Sequence, residues 1–213
     1  MKDESDDPFE DFEDEETSGQ SVPHLFQVPI PEQFFEDETE EPFKKCIMCQ
    51  KSLTGDVEYM VEKAIRRYPD LETEEVQFEL AVCIDCSSKM RNQLSKESLQ
   101  NIQQYFQQQM TSGQPPERVF DFDSGTILNW QENCLFKNIS RAEMTEYHMY
   151  GHFVGDKMTF GMFPYILSGK AIEEMQELLS KETKDEMDDF IDTYFGLPPE
   201  LKDIFKDNPI LAL

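Results

Sequence analysis

The stretch FELAVCIDCSSKMRNQLSKES, residues 78–98, changes its period in the middle. Val76, Phe78, Leu80 and Val82 recur at every second position, which predicts one apolar face of a strand. Beyond it Met90, Leu94, Leu99, Ile102 and Phe106 recur at helical spacing, with a break expected at SKES, where a serine is placed to cap a new helix. Cys83 and Cys86 stand at the junction, so two thiols are predicted where a strand ends and a helix begins.

Working outward, a second pair, Cys46 and Cys49, lies upstream in FKKCIMCQKSL. Between the pairs, DVEYMVEKAIRRY begins as a strand, and YPDLETEE (residues 68–75) reads as a turn by its proline, aspartate and charge. Two thiolates spaced by two residues can hold one ion from a tight turn, and four soft ligands suit a zinc tetrahedron. Amides at a helix start favour the thiolate form, which leads to the expectation of lowered thiol pKa at the second pair.

A knuckle, a hairpin and a ligand pair on the first helical turn resemble the treble-clef class of zinc-binding proteins, over roughly residues 43–106. The resemblance is to that architecture and not to a named family. Where many knuckles carry proline and glycine, this chain has Ile47, Met48 and Gln50. It implies structural Zn2+ held by Cys46, Cys49, Cys83 and Cys86. Four protein ligands leave no open position for water, so Lewis-acid catalysis is disfavoured and the ion is a staple. Competing readings of the thiols are a redox CxxC, an iron–sulfur cluster, and buried cysteines with no ligand role.

Charge bears on partners. The net charge is −26, unevenly spread: residues 1–42 hold sixteen acids against one lysine, while residues 43–110 hold ten acids against nine bases. Nucleic-acid phosphates and anionic membranes repel such a chain, so neither is an expected partner. Any nucleic-acid surface would need Lys44, Lys45, Lys63, Arg66 and Arg67 to gather on one face. No apolar run is long enough to span a bilayer, and MKDESDDPFEDFEDEE has no secretory core, which predicts a reducing cytoplasmic or nuclear setting. Residues 1–22 are expected to be disordered, whereas VPHLFQVPIPEQFF (22–35) is an extended apolar island that packs on the folded part or serves as a binding motif.

The helix phrase LSKES recurs as LSKET 85 residues later. KCIMCQKSLTGDVEYMVEKA (45–64) lies over NCLFKNISRAEMTEYHMYGH (133–152) at an offset of 88, matching Cys46 with Cys134. The other ligand positions then fall on Lys137, Ser168 and Ala171, so the second half reads as a degenerate, metal-free copy. Its ion would be replaced by an apolar cluster of Phe160, Met162, Phe163, Tyr165, Ile166 and Leu167. His148 and His152, four apart, are candidates with Cys134 for a second metal. Helices are predicted over about 168–179 and 184–195.

The fold class expected is α+β: a disordered acidic arm (1–42), a treble-clef-like zinc domain (43–110), a linker (111–117) and a second α+β unit (118–213), read as the degenerate copy. The function expected is a non-enzymatic intracellular module that binds another protein through a zinc-stapled fold. A nucleic-acid-binding zinc protein and a thiol redox protein are the alternatives.

Overall fold

The computed structural model describes residues 27–112, 116, 119–121 and 126–195. Ten strands and four helices follow in order. They are β1 (Gln27–Pro29), β2 (Phe35–Glu36), β3 (Glu41–Pro42), β4 (Glu58–Tyr68), β5 (Thr73–Cys83), α1 (Ile84–Gln93), α2 (Lys96–Ser112), β6 (Val119–Asp121), β7 (Thr126–Leu128), β8 (Glu146–Val154), β9 (Lys157–Thr159), β10 (Tyr165–Ser168), α3 (Gly169–Glu177) and α4 (Lys181–Tyr194). The class is α+β, as expected, with every described strand pair antiparallel.

Strands from both sides of residues 111–117 join in one six-stranded sheet, ordered β1-β9-β8-β4-β5, with β10 also on β8. β4 and β8 lie side by side, centred on the pair Glu62 and Tyr150. Interior position explains why β4 lacks a clean alternation: Tyr59 through Ile65 are all buried, because both faces of the strand are covered. The charges this traps are compensated. Glu62 Oε1 lies 2.9 Å from His148 Nδ1 and accepts the Tyr150 hydroxyl at 3.0 Å. Lys63 Nζ reaches Glu79 at 2.9 Å and donates to the Phe35 carbonyl at 2.6 Å. Unpaired, either charge would cost several kcal/mol.

The hairpin differs from expectation at both ends of its turn. β4 runs to Tyr68 and β5 restarts at Thr73, so the turn shrinks to residues 69–72, with Glu72 left-handed at φ 50°. Cross-strand partners hold the charged ends in the sheet: Arg67 pairs with Glu74 at 2.8 Å, and Arg66 with Glu146 of β8 at 3.6 Å. A bulge at Gln77 shifts the register, so that Phe78 faces Ala64 and Val76 faces Ile65. Val76 therefore leaves the face shared by Phe78, Leu80 and Val82.

The island preceding the first knuckle packs against the sheet from residue 27, ahead of the boundary placed at 43. Phe34 is 1% exposed and stacks 5.2 Å from Trp130, with its edge against Phe153. Gly151 makes this possible, since a Cβ there would lie 2.6 Å from the Phe153 ring and 2.9 Å from Phe34. The helices cover the opposite face. The helical run breaks at Leu94 and Ser95, and α3 and α4 fall close to their predicted ranges. Residues 1–22 and GLPPELKDIF, read from the sequence as an arm and a closing turn, lie outside the described residues. No described helix is long and apolar enough to cross a membrane.

Candidate metal centre

The first knuckle is closed by backbone bonds. Cys46 N–H donates to the Lys51 carbonyl and Gln50 N–H to the Cys46 carbonyl, each at 2.9 Å. Gln50 takes φ 60°, the left-handed conformation for which knuckles generally use glycine. The Ile47 N–H donates to the Ala81 carbonyl at 2.9 Å, tying the knuckle to the outer edge of β5. β5 then delivers Cys83 as its last residue, and Cys86 follows in the first turn of α1.

This brings the four predicted ligands together. The Sγ atoms of Cys46, Cys49, Cys83 and Cys86 all lie within 4.8 Å of one another, and Cys49 Sγ is 3.8 Å from Cys83 Sγ. A tetrahedron with metal–sulfur bonds of about 2.3 Å has edges of about 3.8 Å, so the four sulfurs fit around one ion. Cys46, Cys83 and Cys86 are buried and Cys49 is exposed. The Cys83 N–H also donates to Cys46 Sγ at 3.4 Å, so the backbone of one ligand supports the sulfur of another.

The thiol electrostatics depart from the expectation of a general lowering at the helix start. Burial pushes the Cys83 thiol up, with the Cys86 backbone N–H offsetting part of the effect, and burial raises Cys86 well above its ordinary value. Cys49 goes the other way, to about 7, chiefly through the Lys51 backbone N–H. Desolvation at the two helix-start thiols outweighs the helix terminus. A cation at the centre of the four sulfurs supplies the charge that burial otherwise disfavours.

The second knuckle has closely matching backbone bonds around a different centre. Cys134 N–H donates to Ile139 O at 2.9 Å, Asn138 N–H to Cys134 O at 3.1 Å, and Leu135 N–H to Ile166 O at 2.9 Å; Asn138 has φ 49°. Ser168 donates to Cys134 Sγ through its N–H at 3.2 Å and its hydroxyl at 3.4 Å, and it caps α3. Lys137 pairs with Glu174 at 2.5 Å and lies over the Tyr105 ring. The apolar cluster expected to replace the ion is only partly there: Tyr165, Ile166 and Leu167 are buried, whereas Met162 is 53% exposed. Polar side chains do much of that work.

His148 and His152 do not converge with Cys134. Both lie in β8 (His148 against Glu62, His152 against Glu58 at 2.8 Å), while Cys134 is engaged by Ser168. Among the described residues, the four cysteines are the group whose ligand atoms meet at metal distance. Of the five cations required for a phosphate-binding face (Lys44, Lys45, Lys63, Arg66 and Arg67), four are held by carboxylates: Lys44 with Glu41, Lys63 with Glu79, Arg66 with Glu146 and Arg67 with Glu74. Sequence reasoning missed the buried Glu62–His148–Tyr150 cluster, whose only signal is a glutamate inside an apolar strand. No family profile, curated protein or solved structure matches the chain.

Proposed function

We propose that the chain is a protein-interaction module whose fold is stapled by one structural zinc ion, with Cys46, Cys49, Cys83 and Cys86 as ligands. The observation that carries the reading is the convergence of four sulfurs from a knuckle and a strand–helix junction. Zinc suits an all-thiolate set with three buried members, and such a set leaves no place for a reacting water. Knuckle, hairpin and helix in this order support a treble-clef-like description. The second half is read as a metal-free copy, supported by the paired left-handed residues Gln50 and Asn138 and by backbone donors reaching both Cys46 and Cys134. The acidic N-terminal residues add electrostatic steering toward a protein partner.

Elemental analysis of protein made without added metal is expected to give one zinc per chain, and a strong chelator is expected to abolish cooperative unfolding. Protein that is metal-free and still folded overturns the staple. For the interaction role, in-cell cross-linking should recover a defined partner with the native chain and lose it with C83S. Substrate turnover that tracks residues outside the cysteines would refute the non-enzymatic reading. One observation favours thiol exchange instead: Cys49 is exposed and its thiol is brought to about 7. Rapid alkylation of the zinc-loaded protein at Cys49 would decide for that reading.

A further inference from the structure

A groove of about 750 Å³ opens on the face of the sheet that carries Ile65, between the Glu32–Glu40 segment and the upstream half of β5. Its floor is apolar, made by Ile65, Val76, Tyr147 and Met149. Its rim carries Glu36, Asp37 and Glu40, none of which forms an ion pair with a described cation. We propose that this groove receives an extended, arginine- or lysine-bearing segment of another protein. The proposal rests on the interaction reading above and names the partner's chemistry.

Two of the chain's own cations already show how the groove holds such side chains. Arg141 bonds Glu74 at 2.5 Å while its guanidinium lies 5.1 Å from the centre of the Tyr147 ring. Lys63 bonds Glu79 and the Phe35 carbonyl over the same floor. A long aliphatic stem on apolar surface with its charged head among carboxylates is how Lys and Arg bury without losing solvation. β5 also ends the sheet. The knuckle occupies its outer edge at Ala81, whereas the groove lies beside Glu74, Glu75 and Val76, farther upstream. A strand end of this kind is a place where an extended segment can lie. The chain's net charge of −26 disfavours a second copy or a nucleic acid as occupant.

The test uses the full zinc-loaded chain and a fluorescein-labelled peptide alternating serine with arginine. The groove variant E36Q/D37N/E40Q is compared with E186Q/D188N/D189N, which removes the same charge from α4. At low salt the groove variant should weaken binding by about tenfold or more, several exposed ion pairs being lost together, and the α4 variant by no more than about twofold. Equal weakening by both would reduce the attraction to net charge and overturn the site. Competition by spermine at the peptide's own affinity would overturn it in favour of small cations. Zinc-loaded, folded protein that ignores the peptide refutes the groove and leaves the zinc staple standing; failure to load zinc refutes the staple.

Discussion

Cys46 and Cys134 each accept a backbone N–H from the end of a distant strand, but only Cys46 has other thiols around it. Replacing one ligand leaves three thiols that hold an ion poorly, and the binding energy of a structural zinc is folding energy. C46S should therefore purify without metal and lose its cooperative thermal transition. C134S keeps a hydroxyl for the Ser168 donors, so it should retain one zinc and destabilise by no more than about 2 kcal/mol. Elemental analysis with circular-dichroism melting checks both. Glu74 offers a pH test. Burial raises its carboxyl, but the bond and charge of Arg141, the Tyr147 hydroxyl and Arg67 more than offset that and leave it below 4.5. A depressed carboxylate stabilises the fold above its unfolded value and loses that contribution as pH falls through the folded one. E74Q should then cost about 1 kcal/mol at neutral pH, and the difference from the native chain should shrink as pH falls below the unfolded value and vanish below the folded one. Denaturant melts across pH would refute this by showing a constant difference.

The repeated phrase acts at the scale of elements. The break expected at SKES is where α1 gives way to α2, and the matching LSKET joins α3 to α4. Ser98 and Thr183 close these junctions on each other: Ser180 N–H donates to Ser98 Oγ at 2.8 Å, and Ser95 N–H donates to Thr183 Oγ1 at 3.0 Å. Ser95 Oγ and Ser180 Oγ lie 2.9 Å apart between them. Local caps were legible because serine before a helix has a local meaning. Their reciprocity was not, since nothing in either phrase specifies what faces it. The metal ligands were readable for the same local reason, as a CxxC declares its own geometry. The buried Glu62 was not, because burial of β4 is completed by β8, more than eighty residues away. S98A and T183V each leave a half-buried N–H unsatisfied and should cost about 1–3 kcal/mol. Because they share one network, the double variant should cost measurably less than their sum in a double-mutant cycle. Simple additivity would show that the two junctions are independent.

At the scale of the whole molecule, β4 decides how far the halves can stand alone. Its one side is paired with β5 and its other with β8, from Glu58 to Arg66. A segment ending at α2 would expose that second side to water and strip Glu62 of His148 and Tyr150. At the same time Ser98 Oγ would lose its donor, the Ser180 N–H, and the Ser95 N–H its acceptor, Thr183 Oγ1. An open strand edge beside an uncompensated buried carboxylate is a costly way to end a sheet. Zinc can stabilise the knuckle and the start of α1, but it sits at the far end of β5 from the turn and cannot replace the missing strand. Residues 27–112 and 119–195, produced separately, are therefore expected to lack a cooperative transition even with zinc supplied. Mixed or co-expressed, they should form a one-to-one complex that binds one zinc and melts as a unit, by calorimetry and sedimentation. A fragment 27–112 that melts cooperatively by itself with zinc bound would refute the dependence of β4 on β8.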